Sequence, residues 1–254
     1  MSGARAVAGI EMRLLRHDPV PAVILVAAPL VLMTLLAPAL RAALLVQGDD
    51  VAGSAQTVPG MACVFAVFAA GLVGFALFRD HGWHTWERLH ASGIPPRAVA
   101  LGKVAVPGAL LILQAVVLFA VGVIWLELEV AGSWIAVALI ALSYGAAVLT
   151  GGLAIAALAG TIQQVNAITA LAAMVLGALG GGFVPADSLP DWAQPLSPLT
   201  PTWWAMEGYR GAIIDGDPLA DAAGPVAVLL LFAVSFGLIA AYRLRLDRPK
   251  RTWG

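Results

Sequence analysis

The amino-acid sequence predicts an all-α protein that crosses a membrane six times. Three observations predict it. Of 254 residues, 61% are hydrophobic and only 11% are Asp, Glu, Lys or Arg, against about 25% charged residues in an ordinary soluble domain. The few charges are clustered, leaving charge-free intervals at 19–40, 51–78, 104–126, 130–186 and 222–242, and a spanning helix needs about 20 apolar residues. Finally, these runs do not alternate apolar and polar residues, as the strands of a membrane β-barrel would. A soluble enzyme is excluded at this level, because so little charge does not cover a water-exposed surface.

The first element is a short amphipathic helix over residues 4–16. At 100° per residue Val7, Ile10 and Leu14 gather on one side and Arg5, Arg13 and Arg16 on the other, while Glu11 and Met12 interrupt the pattern. Such a helix is expected in the cytoplasmic interface with its basic face toward head groups. Pro19 ends it, since the residue before a proline avoids the helical region. The spans then fall near 20–40, 58–78, 104–126, 134–159, 166–184 and 224–243. The long fourth interval is divided at Thr161–Asn166, its most polar stretch. The first apolar run is long enough to span and lacks a small-residue cleavage site, so no secretory signal is expected.

Six spans put both ends of the chain on one side. With that side inside, twelve basic residues are inside (Arg5, Arg13, Arg16, Arg79, Arg88, Arg97, Lys103, Arg243, Arg245, Arg248, Lys250, Arg251) and two, Arg41 and Arg210, are outside. That bias predicts cytoplasmic termini in a cell membrane. The net charge of −1 carries little information beside it.

Between spans two and three, residues 79–103 form the largest inside segment. Thr85 to Ser92 read as a short helix stopped by Gly93 and Pro95-Pro96, a suitable contact for a soluble partner. The outside segment 185–223 carries Pro185, Pro190, Pro195, Pro198 and Pro201, which forbid a long helix through its first half. Trp192, Trp203 and Trp204 suit the outer interface belt. Thr200-Pro201 is a helix start, with Pro in the first position, for a short helix to Ile214.

Catalytic and cofactor motifs are missing. His81, His84, Glu87 and His90 are spaced by three, but on a helix each step lags by about 60°, so the first and last point to opposite faces; no metal site is assigned. The chain has one cysteine, Cys63, and therefore no internal disulfide and no Cys-rich zinc site. No Gly-x-Ser-x-Gly elbow, phosphate-binding loop, intramembrane charge or basic–aromatic nucleic-acid tract occurs. Gly177 and Gly181 are spaced as Gly-x-x-x-Gly and read as a close-packing face, with a dimer interface as the alternative. Gln114, in the third span, either meets a substrate or hydrogen-bonds between helices; Thr34, Ser143 and Tyr144 are the other intramembrane polar groups.

The segment Arg79-Asp-His-Gly82-Trp-His-Thr85-Trp86-Glu87-Arg88-Leu89-His-Ala-Ser92-Gly-Ile-Pro95, followed by Gly102-Lys103, resembles the loop after span two in permeases of the type 2 ATP-binding-cassette (ABC) exporters. Two extra residues, Trp83 and His84, stand between Gly82 and Thr85, and Gly93-Ile94 precedes the proline. Pro185 to Trp192 and Thr200-Pro201 with Arg210 are similar to that family's segment before the last span. The resemblance implies a coupling helix, carried by Gly82, Thr85, Trp86, Glu87, Arg88, Leu89 and Ser92, that docks on a separate ATPase. It further implies two ATPase copies, ATP and Mg held there and not on this chain, and a second permease copy, identical or paralogous. The expected cargo is hydrophobic or amphipathic: a drug, antibiotic, lipid or glycolipid. The competing expectations are a membrane anchor or sensor subunit without transport, and a lipid-modifying membrane enzyme.

Overall fold

The computed structural model describes residues 2–47, 53–82 and 93–243. Among them the fold is all α, without strands, and six helices are long and apolar enough to cross a membrane. Helix α1 covers Ser2–His17. The six long helices are α2 (Val20–Gln47), α3 (Gly53–Gly82), α4 (Pro96–Trp125), α5 (Trp134–Leu158), α6 (Ile162–Leu179) and α8 (Ala223–Arg243). The short α7 (Pro201–Arg210) continues into a π-helical turn over Gly211–Asp215.

The helix ends follow local chemistry more than the apolar windows do. Helix α3 runs on to Gly82, and α4 starts at Pro96, so Arg79 and Lys103 are helical and not part of a loop. Charge marks where the apolar zone stops, which is not where helical hydrogen bonding stops. The break between α5 and α6 is at 159–161, earlier than expected, and Gln163, Gln164 and Asn166 lie in α6. Side-chain capping causes this: Thr161, the N-cap, accepts through Oγ1 from Gln164 N–H at 3.2 Å, and Gln164 Oε1 accepts from Gly160 N–H at 2.7 Å. Thr200 caps α7 by accepting from Trp203 N–H at 3.3 Å, with Pro201 in the first position.

Helix α3 is the mast of the bundle, touching α2, α4, α5 and α6. Of its apolar window 72% is buried, against 22% for α2, 22% for α6 and 17% for α8. Small residues make this possible. A Cβ on Gly152 would lie 2.7 Å from Ala70 O, and one on Gly60 only 2.1 Å from Gly182 O. Helix α8 packs on α5, and α1 lies on α4.

At the end of the bundle away from α1, the turn after α6 wedges between α3 and α7. Gln56 Nε2 donates to Gly181 O at 2.6 Å. Gly181 has φ +79° and lies beyond the end of α6, so Gly177 and Gly181 do not share a helix face. Gly177 is instead closed in by Phe183 and Val64. Tyr144 Oη donates to Cys63 O at 3.1 Å and accepts from Thr202 Oγ1 at 2.9 Å. Tyr144 is ten residues into α5 (144 − 134), about 15 Å along the helix at 1.5 Å per residue. The start of α7 therefore dips well inside the bundle.

Candidate functional site

The site grows out of α1. Its buried face carries Val7 and Glu11, while Arg5, Arg13, Arg16 and Ile10 are exposed. The expected apolar grouping of Val7, Ile10 and Leu14 is thus corrected. Helix α1 is seated on α4, and that contact selects a face one step round from Ile10. Gly102 permits the close approach: a Cβ there would sit 2.6 Å from Val7 Cβ and 2.9 Å from Ala4 O.

Glu11, only 7% exposed, holds three helices together. Its Oε2 accepts from Arg79 Nη2 at 2.5 Å, and its Oε1 accepts from Lys103 Nζ. Lys103, also buried, donates further to Ala76 O at 3.0 Å. The Arg79 guanidinium lies 5.8 Å from the Phe75 ring centre. A carboxylate out of water is tolerable only when paired and hydrogen-bonded. Here each oxygen meets a cation from a different helix: Arg79 near the end of α3 and Lys103 near the start of α4. Removing one partner of such a buried pair costs about 3–5 kcal/mol.

Beside this joint, a groove of about 530 Å³ opens between α2, α3 and α6. Ile24, Phe65, Phe68 and Phe75 form apolar walls, with Asn166 and Thr169 on α6 as polar points. Phe65 and Phe68 rings are 5.6 Å apart. Thr169 is 3% exposed and its hydroxyl has no hydrogen-bond partner. At the opposite end of the bundle, a cavity of about 340 Å³ is lined by Trp203, Trp204, Glu207 and Asp215 among others. Arg210 lies 3.2 Å from Asp187 Oδ2 and 3.8 Å from Asp215 Oδ2.

The residues singled out in the sequence divide three ways. Gly82 is the last residue of α3, whereas Thr85, Trp86, Glu87, Arg88, Leu89 and Ser92 lie outside the described residues. Gln114 is buried at 1% exposure with neither amide atom hydrogen-bonded, and it lies outside the lining of the groove. Among the described residues no three His, Cys, Asp or Glu side chains are placed to hold a metal. Glu11 and Thr169 were missed. The signal for Glu11 was a carboxylate on the apolar side of an amphipathic helix; Thr169 carried none.

Six helices long and apolar enough to cross a membrane make this a multi-pass membrane protein. Residues 11–214 match the family model of the ABC-2 type transporter, and the chain belongs to that family. It is the membrane component of an ABC transporter, and membership implies association with an ABC ATPase. No curated protein matches the chain.

Proposed function

We propose that the chain is the permease subunit of an ABC exporter, driven by a separate ATPase, with α1 and both ends of the chain in the cytoplasm. Two such subunits, identical or paralogous, and two ATPase copies form the working complex. The cargo is hydrophobic or amphipathic and moves out of the cytoplasm or inner leaflet. Thr85 to Ser92, with Glu87 and Arg88, carry the ATPase contact.

The observation that supports this reading best is the groove between α2, α3 and α6. It lies at the α1 end and is aromatic and apolar, with Asp18, Asn166 and Thr169 as its polar lining residues. A hydrophobic body would leave lipid for it at little cost, while the exposed Asn166 would orient one polar group. The twelve-to-two distribution of basic residues supports the orientation.

The test is Glu87→Ala in membranes that also contain the ATPase. The expected outcome is normal membrane insertion, with reduced export and reduced permease-stimulated ATP hydrolysis. Export at the unaltered level from this variant refutes the coupling role, and export by the purified chain without any ATPase refutes the whole reading.

A further inference from the structure

We propose that Glu11 is a positioning residue: it makes the adjoining ends of α3 and α4 move as one with α1, and through α1 it sets the position of α2 at the groove. The proposal rests on the permease reading, in which the ATPase acts on the connection between α3 and α4.

Three observations carry it. The first is the division of the carboxylate, with one oxygen on Arg79 of α3 and the other on Lys103 of α4. Neither helix end can shift relative to the other without breaking a charge-assisted bond, and both bonds end on α1. Next comes the corner between α1 and α2, which is only Asp18 and Pro19. Asp18 N–H donates to Leu14 O at 3.0 Å, Val23 N–H to Pro19 O at 2.9 Å, and Val20 N–H to Asp18 Oδ1 at 3.3 Å. A two-residue corner bonded on both sides passes displacement on; it has no slack to absorb it. The third is the location of the next residues: Asp18, Val20, Pro21, Ile24 and Leu25 all border the groove.

The chemistry makes the role specific to a carboxylate. Glutamine at position 11 keeps one acceptor oxygen but turns an N–H donor toward the second cation. One of the two bonds is then replaced by repulsion, with no change in side-chain size. Lys103→Met removes the other half of the joint, leaving Glu11 on Arg79 of α3 without its cation on α4.

The experiment uses the whole complex in proteoliposomes, with spin labels on Val23→Cys of α2 and Ala167→Cys of α6. Both positions are exposed and outside the groove lining, and buried Cys63 stays in place unlabelled. ATP hydrolysis, export and the label-to-label distance with and without a non-hydrolysable ATP analogue are measured. With Glu11 intact, the distance is expected to change on nucleotide binding. Glu11→Gln is expected to abolish that change and lower export per ATP at least fivefold, while hydrolysis stays within twofold. Lys103→Met is expected to abolish the change as well. A normal distance change and normal export per ATP in Glu11→Gln overturns the proposal. So does an assembled Lys103→Met variant that responds normally, which decides the matter if Glu11→Gln does not assemble. Unaltered chain that binds no ATPase overturns the permease reading and this proposal with it. An unaltered complex that exports without any change in distance overturns the proposal alone.

Discussion

The seat of α1 on α4 depends on Gly102 having no side chain, and Gly102→Ala tests this directly. The new Cβ would be 2.6 Å from Val7 Cβ, where ordinary contact begins at 3.4 Å, a shortfall of 0.8 Å. Val7 Cβ and Ala4 O are attached to the α1 backbone, so no rotamer change relieves the clash; the helix itself has to lift. Lifting it by that amount would take the Arg79–Glu11 contact from 2.5 Å to as much as 3.3 Å (2.5 + 0.8), beyond good hydrogen-bond range. Overpacking of this kind costs about 1–3 kcal/mol, which raises the undocked fraction of α1 about 5- to 150-fold. Trypsin reads that fraction through cleavage after Arg13 and Arg16, because proteolysis follows the open population when opening is fast. Gly9→Ala is the control: nothing lies within 4 Å of a Cβ there, and cleavage should be unchanged or slower. If Gly102→Ala is cut no faster than the unaltered protein, α1 is not seated as described.

Gly60→Ala should be far more severe, since its Cβ would sit 2.1 Å from the backbone oxygen of Gly182; the expected result is loss of monodisperse protein after detergent extraction, and a well-behaved variant would contradict the close approach. Tyr144→Phe removes both bonds of its hydroxyl and should destabilise the fold by about 0.6–1.7 kcal/mol, read as a lower Tm in detergent; an unchanged Tm would mean that the Tyr144–Thr202 contact contributes nothing. Gln114→Leu should raise Tm, because a buried polar group without a partner costs about 1–3 kcal/mol; a fall in Tm would show that the amide has a partner in the working protein.

The sequence disclosed what is local or compositional. The six spans come from hydropathy and charge spacing, and Thr200-Pro201 marked the start of α7 because capping is a property of neighbouring residues. The break before α6 was equally local, as Thr161 caps the helix by accepting from Gln164 N–H, but polarity alone drew it a few residues too late. Glu11 was not legible in the same way. Along the chain it reads as a flaw in an apolar stripe, and its partners are 68 and 92 residues away. Only the assembly of α1, α3 and α4 turns the flaw into a joint. The groove is harder still: Phe65, Phe75 and Thr169 are ordinary membrane residues until α2 and α6 are seen to flank α3.

The central place of α3 also bears on how such a chain can change over time. Its interior side is crowded by neighbouring main chain, so enlarging a residue there disturbs several helices together. Outward positions on α8 meet hydrocarbon, for which one greasy residue serves as well as another. Variation among relatives should therefore be steeply graded across the bundle, with substitutions collecting on α8 and nearly frozen glycine and alanine on α3.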